Sequence, residues 1–396
     1  MKEKLKICHI TTAHTRYDSR IFLKECTTLA ANKRYDVNLI CLDDFGIENK
    51  NNVCIIGIDI GKKSKLKRIL LGSYYIKKFL KNHSYDVYHF HDLELLNLAY
   101  KLSKSGKCVI FDSHEDYFAL VEDKKRIPKV FKKFFSNILM YFQKRTFKKC
   151  NAVITVTPHI KDKIVKYNSN THIVENFPIV EKFTKRYKHK KNINLCFAGG
   201  ISKQWMHHSI INALANLKNI KYDVAGISFN SKYFEELKKN DINKNMKFLG
   251  RLSHKDVKKL YGVSDVGMAL NDYSFNVDYH NGSIGNTKIF EYMEAGLPLI
   301  ATDFKLWKEI IEENNCGICI NPNNVEDIKN AITFFIKNPE KIKEYGINGR
   351  RMIEKFYNWD ESAKKLLDIY KELEIDEKKG YICFDCLISF KFFPCF

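Results

Sequence analysis

The sequence has little of what would carry a 396-residue chain into or across a membrane. No stretch reaches the ~18 uncharged apolar residues that span a bilayer. The opening MKEKLKICHITTAH lacks the ordered basic, apolar and small-residue regions of a secretory leader, so a cytoplasmic chain is expected. Cysteine is present twelve times, but scattered through apolar runs (Cys8, Cys41, Cys54, Cys196), where a free thiol behaves as a small hydrophobe rather than a disulfide partner. Cys383 and Cys386 have metal-type spacing, yet no second pair accompanies them and Cys395 stands alone, which argues against a zinc site. Acidic residues fall short of basic ones by a formal charge of +21, so the chain either meets an anionic partner or tolerates self-repulsion.

What is present is an alternating α/β grammar. LKICHITT reads as a buried strand, AHTRYDS as a loop, RIFLKECTTLAANK as an amphipathic helix and DVNLICL as a second strand. Residues 193–226 start the same grammar again, with INLCFAG, GISKQWM, HHSIINALANL and IKYDVAGI. Further apolar strands are expected at residues 86–90, 108–112, 152–156, 246–249, 266–270 and 299–302, each followed by a helical pattern. Continuously apolar strands alternating with helices imply parallel sheets covered on both faces. The expected fold is therefore two doubly wound, Rossmann-like domains joined near residues 177–191, where Pro178 and the basic KRYKHKK mark a surface linker. Ligands of such sheets bind beyond the carboxyl ends of the strands, so a cleft between the two domains is the expected seat of chemistry.

The stretch GSIGNTKIFEYMEAGLPLIATD, residues 282–303, carries the strongest chemical signal. Asn286 or Thr287 can cap a helix running through Lys288, Phe290, Glu291 and Met293, which Gly296 and Pro298 end. A Gly-rich approach and a helix start present N–H groups to an anion, and Lys288 adds a full charge. Glu291, one turn in, can accept two hydrogen bonds from a vicinal diol such as a ribose. Phosphate donors, a cation and a diol acceptor together suggest a sugar nucleotide. The plainer alternative has Glu291 only offsetting the helix dipole, with Lys288 solvated.

This segment resembles the nucleotide-sugar motif of GT-B glycosyltransferases of glycosyltransferase family 4, in the form found in bacterial surface-polysaccharide enzymes. Similar phrases follow in order: HITTAHTRYDSRIFLKE, YHFHDLELLNLAYKL, VIFDSHEDY, AVITVTPHI, NLCFAGGIS, KFLGRLSH, CGICINPN and YNW, covering roughly residues 5–374. The resemblance implies an α/β GT-B fold with an acceptor-binding domain over residues 1–178 and a nucleotide-sugar-binding domain over residues 179–356. A helix over residues 357–379 would cross back to the first domain, followed by an atypical apolar tail over residues 380–396. It implies retaining transfer of a sugar from a nucleoside diphosphate to a glycan acceptor, with no metal or other cofactor.

By the same carry-over, Glu291 binds the donor ribose. Ser283, Gly285, Asn286, Thr287 and Lys288 hold the diphosphate with Gly199, Gly200 and Lys203, and Arg251 lies beside the nucleotide. His114 stands near the anomeric centre, while His14, Arg16, Asp18, His91 and Asp92 line the acceptor side. Two departures stand out. Ser283 occupies the place of the family's first paired glutamate, and GGISKQWMHHS offers Lys203 where relatives carry Arg with Lys or Gly. The second departure keeps open a catalytically weak homologue acting as a binding or scaffold subunit. A GT-B nucleotide-sugar epimerase or phosphorylase is a further alternative, against which the EYM phrase and the first-loop motif argue.

Residues 124–149 hold ten Lys or Arg and no acid, with Phe131, Phe134, Phe135, Ile138 and Phe142 at helical spacing. Residues 62–82 repeat the theme. A basic amphipathic helix with phenylalanines reads as a peripheral contact with an anionic inner leaflet, where a lipid-linked acceptor of capsule or O-antigen type would be met. The alternative turns the phenylalanines to the core. No nucleic-acid reading motif accompanies the charge.

Overall fold

The computed structural model describes residues 3–61, 65–114, 129–182, 185, 187, 192–215, 217–241, 243–274 and 277–378. The 380–396 tail, with Cys383, Cys386 and Cys395, lies outside them, as do residues 62–64 and 124–128 of the basic stretches. The chain divides into two units, residues 1–115, 137–174 and 362–396 in one, and residues 116–136 and 175–361 in the other.

In the first unit the apolar runs become strands β1 (Leu5–Ile10), β2 (Tyr35–Cys41), β3 (Ile47–Lys50), β4 (Val53–Gly57), β5 (Val87–Phe90), β6 (Cys108–Ser113), β7 (Ala152–Thr155) and β8 (Thr171–Ile173). They form one sheet in the order β3-β4-β2-β1-β5-β6-β7-β8. All pairings are parallel except β3–β4, a hairpin turned through Asn51 and Asn52, both at positive φ (52° and 60°), the combination a two-residue turn of matching twist requires. That hairpin departs from the purely parallel expectation, because IENK is an exposed polar edge with no apolar run to announce it. The central strands β5, β6 and β7 are buried at every residue, so His89 and Asp112 lie inside the sheet layer, as does His9 in β1. Polar atoms buried this way must find partners.

The second unit holds β9 (Ile193–Ala198), β10 (Ile220–Ala225), β11 (Met246–Gly250), β12 (Val266–Ala269), β13 (Leu299–Thr302) and β14 (Gly317–Ile320), ordered β11-β10-β9-β12-β13-β14 and wholly parallel. Strand β9 shows why helices cover both faces: Leu195 and Phe197 enter one core with Ile210, Leu214 and Ile332, while Cys196 and Ala198 enter another with Phe290, Met293 and Ile353. The strand order reverses beside β9, and such a switch point opens a crevice at the carboxyl ends. The helix Trp359–Lys378 is anchored at its start by Trp359 N–H, which donates to Pro178 O at 2.8 Å. Tyr370, further along, is fully buried in the first unit.

Candidate functional site

In the second unit, β9 and β10 are followed directly by Gly199 and Gly226, at φ 159° and 147°. A Cβ on Gly226 would overlap the Gly199 carbonyl, and one on Gly199 would lie 2.5 Å from Lys288 Nζ. Only glycine lets the loop pass this close to that ammonium.

The helix Lys288–Glu294 begins at Thr287, and the Asn286 side chain accepts from Lys288 N–H at 3.3 Å. Thr287 does not cap through its hydroxyl, which donates to Glu291 Oε1 at 2.8 Å instead. The other Glu291 oxygen accepts from the Tyr261 hydroxyl at 3.2 Å. The carboxylate is thus fixed at both ends while remaining half-exposed, as a diol acceptor must be. The Lys288 ammonium stands 5.0 Å from the Phe197 ring and 4.9 Å from the Trp205 ring, a cation–π contact with two rings that pack on each other. Burial lowers its pKa from the ordinary lysine value, opposed by Glu291.

The approach loop is pinned from behind: Ser283 is buried, its hydroxyl accepts from Gly285 N–H at 3.1 Å and its carbonyl accepts from Trp307 Nε1 at 3.0 Å. Gly200 follows Gly199 directly, and Arg251 is exposed just beyond β11. Lys203 is also exposed, with its ammonium 5.8 Å from the Tyr233 ring. Sequence reasoning treated the Trp205 segment as a departure and gave Tyr261 no role. The structure brings Trp205 to Lys288 and Tyr261 to Glu291. His207 opens the helix His207–Leu214, buried against the Tyr222 hydroxyl at 3.0 Å.

In the first unit, Asp92 follows β5 and gathers the loop after β1. It accepts from Thr11 Oγ1 at 2.7 Å, from the N–H groups of Thr12 and Ala13 at 2.5 and 3.1 Å, and pairs with His14 Nδ1 at 2.9 Å. Burial alone would raise its pKa, but the His14 and Thr11 contacts hold it well below the usual carboxylate range. The His14 ring stacks 5.6 Å from that of His114. Arg16 is buried against Asp43, through Nε at 2.8 Å and Nη2 at 2.6 Å, and against Glu48 at 2.9 Å, so its charge is already balanced within the unit. Asp18 accepts from the N–H groups of Arg20 and Ile21 at 2.8 and 2.9 Å, capping the next helix.

That helix begins with a π turn, Ile21–Cys26, in which Glu25 N–H donates to Arg20 O. The wider turn puts Arg20 and Glu25 on one face, and such turns recur at functional sites. Arg20 donates to both oxygens of Asp112, each at 3.0 Å, and pairs with Glu25 at 3.0 Å. Asp112 in turn lies 3.2 Å from His114 Nε2 and 3.5 Å from His91 Nδ1. Burial would raise the Asp112 carboxyl, yet Arg20 and His114 hold it well below its ordinary value. His114 is 14% exposed, and burial, opposed by Asp112, pulls its pKa down to about 3. His91 is fully buried, between His9 and His114. His9, Glu25, His89 and His91 offer one metal-ligating atom each within 4.8 Å, but Arg20 sits on Glu25 with a positive charge of its own. None of Arg20, Glu25, Asp112, His9 or His89 was assigned a role from sequence; charged and imidazole groups inside apolar runs were the available signal.

The chain matches two family models, "Glycosyltransferase Family 4" over residues 19–177 and "Glycosyl transferases group 1" over residues 179–352. It is 25% identical over 298 residues to an uncharacterized glycosyltransferase of Methanocaldococcus jannaschii, covering 69% of this chain and 70% of that one. Sucrose-phosphate synthase from Thermosynechococcus elongatus has a similar structure, with TM-score 0.73 at 14% identity, covering 94% of this chain and 100% of the other. So does HepE of Anabaena, solved with UDP and glucose, with TM-score 0.68 at 14% identity, covering 93% of this chain and 100% of the other. With both models spanning the two parallel-sheet units in order, the chain belongs to the family 4 glycosyltransferases of GT-B fold.

Proposed function

We propose that this enzyme is a retaining glycosyltransferase that moves a sugar from a nucleoside diphosphate to a lipid-linked glycan in cell-surface polysaccharide synthesis. The second unit takes the donor and the first the acceptor. The observation that carries the reading is the paired fixation of Glu291 and Lys288 on one helix turn, with the carboxylate held by Tyr261 and Thr287 and the ammonium held over the packed rings of Phe197 and Trp205.

In the transfer, the bond from the anomeric carbon to the diphosphate oxygen breaks and one to an acceptor hydroxyl oxygen forms on the same face. The hydroxyl proton leaves with the diphosphate. Negative charge builds on that leaving group, and a cation and N–H groups already in place stabilise it without reorganising. Lys288 and the residues 283–287 supply them, which is why the reaction needs no metal; activity retained in chelator tests this. Glu291 accepts from the ribose hydroxyls. His114 stands at the sugar, and His14 and Asp92 order the loop that meets the acceptor. HepE, with its UDP and glucose, supports a uridine diphosphate donor as the first to try.

A peripheral position on the inner leaflet is supported by the helix Lys129–Phe147, on which Phe134, Ile138 and Tyr141 are 60%, 40% and 59% exposed at positions i, i+4 and i+7. Among the described residues no helix is long and apolar enough to cross a membrane. Thermal-shift measurement with UDP, GDP, ADP, CMP and their sugars tests the reading, since a ligand bound only by the folded state raises stability. A shift with one nucleotide, lost in Glu291→Ala, is expected. No shift with any of them overturns donor binding and favours a scaffold role.

A further inference from the structure

Four imidazoles meet at the carboxyl end of the first sheet's centre, His9 on β1, His89 and His91 at β5, and His114 beyond β6. They form one hydrogen-bonded run. The Tyr370 oxygen is 2.9 Å from His89 Nδ1 and 3.5 Å from His9 Nε2. His9 Nδ1 is 2.9 Å from His91 Nε2, and His91 Nδ1 is 3.1 Å from His114 Nε2. The rings of His9 and His91 lie 16° from coplanar with centroids 5.1 Å apart. That separation is the N···N distance plus about one ring radius at each end, so the two nitrogens point at each other. An N–H···N bond needs this arrangement, whereas a shared metal would need both nitrogens turned to a third point.

Two opposite assignments of protons satisfy the run, and Asp112 selects between them, because its carboxylate is nearer to His114 Nε2, at 3.2 Å, than to His91 Nδ1, at 3.5 Å. Asp112, clamped by Arg20, is an acceptor, so His114 carries its proton on Nε2 at 3.2 Å from it. The same N–H faces His91 Nδ1, which is then bare, and His91 donates from Nε2 to His9 Nδ1. His9 is left with its proton on Nε2, facing the Tyr370 oxygen, and Tyr370 donates to His89 Nδ1. His114 Nδ1 therefore keeps its lone pair, with no partner among the described residues.

We propose that His91, His9 and Tyr370 are positioning residues that hold His114 in the Nε2–H tautomer, with the bare Nδ1 presented to accept a hydrogen bond from a substrate hydroxyl. This rests on the reading of His114 as a site residue in sugar transfer. The relay is internal to the first unit, and Tyr370 reaches it from three links away without touching substrate.

The test is two-bond ¹H–¹⁵N correlation NMR on the full-length protein carrying ¹⁵N-histidine, with the His114 signals assigned by their loss in His114→Asn. The expected result is a protonated Nε2 and a bare Nδ1. In Tyr370→Phe, which keeps the ring, the His114 nitrogens shift toward an average of both tautomers. There kcat for sugar transfer falls about 10-fold, as for loss of other orienting partners, with donor KM unchanged. His91→Asn, which keeps an acceptor near His114 Nε2, retains more activity than His91→Leu. An Nδ1–H tautomer in the unmodified protein overturns the proposal. So do unchanged NMR and kcat in both Tyr370→Phe and His91→Leu, or one equivalent of zinc copurifying with the protein. Failure of the glycosyltransferase reading is separable: it shows as no transfer by the unmodified protein while the tautomer run stands as assigned.

Discussion

The Tyr261 hydroxyl donates to Glu291 Oε2 at 3.2 Å across two helices, while Thr287 holds the other oxygen at 2.8 Å from within the same turn. A carboxylate anchored this way loses little freedom on meeting a diol. Hydrogen bonds to a charged group contribute about 1.5–3 kcal/mol each, so under the proposed ribose assignment Glu291→Ala, by removing two such bonds, lowers kcat/KM at least about 100-fold. Tyr261→Phe leaves the carboxylate in place but unanchored, and raises donor KM about 10-fold with kcat little changed. Steady-state kinetics with the donor found by thermal shift would decide; normal activity in Glu291→Ala refutes the ribose assignment.

Gly199 and Lys288 are a second coupled pair. Because a Cβ on Gly199 would sit 2.5 Å from the ammonium, Gly199→Ala has to displace Lys288 from its place over the Phe197 and Trp205 rings. The loss should resemble that of Lys288→Met, about 100-fold or more in kcat, the range for removing one preorganised group facing developing negative charge. The double variant Gly199→Ala with Lys288→Met should then be little worse than Lys288→Met alone. Full additivity in this cycle would show that the glycine serves something other than the lysine.

How far these sites could be read from sequence depended on where polar groups sit. Strands such as Cys108–Ser113 and Leu299–Thr302 are continuous apolar runs and announce themselves. The Ile47–Lys50 edge does not, because its pairing is set by the left-handed Asn51-Asn52 turn rather than by burial. The pairing of Lys288 with Glu291 was legible because both lie on one regular helix. Arg20 and Glu25 were not, since five-residue spacing puts side chains on different faces of an ordinary helix. Only the π turn aligns them on Asp112. His9 and His89 look apolar by position, and the partners that reveal them, Tyr370 above all, are distant in sequence.

The buried histidines make stability depend on pH in a direction that can be worked out. His9, His89, His114 and His207 all have depressed pKa values, with burial the leading cause. Such a histidine binds fewer protons when folded than when unfolded. Its contribution is therefore present above the unfolded value of ~6.5 and is lost as pH falls from there toward the folded value. Each adds a slope of up to about 1.4 kcal/mol per pH unit in that window. Urea unfolding at about pH 7.5, 6.5 and 5.5 should show stability falling steeply below the middle point. His207→Gln should flatten the slope by roughly one histidine's share. An identical slope in that variant would mean His207 is protonated in the folded protein.

The proposed membrane attachment gives the last test, because charge and apolar surface would contribute separable parts. The exposed Phe134, Ile138 and Tyr141 follow one another along the Lys129–Phe147 helix, beside the exposed Lys133. Vesicles rich in phosphatidylglycerol should sediment the protein at low salt. Part of that binding should persist at about 0.5 M salt, where surface electrostatics are largely screened but apolar insertion is not. Replacing all three apolar residues with serine should remove the salt-resistant part and leave the salt-sensitive part. If the triple variant binds as the unmodified protein does at both salt concentrations, this face is not the one that meets the lipid.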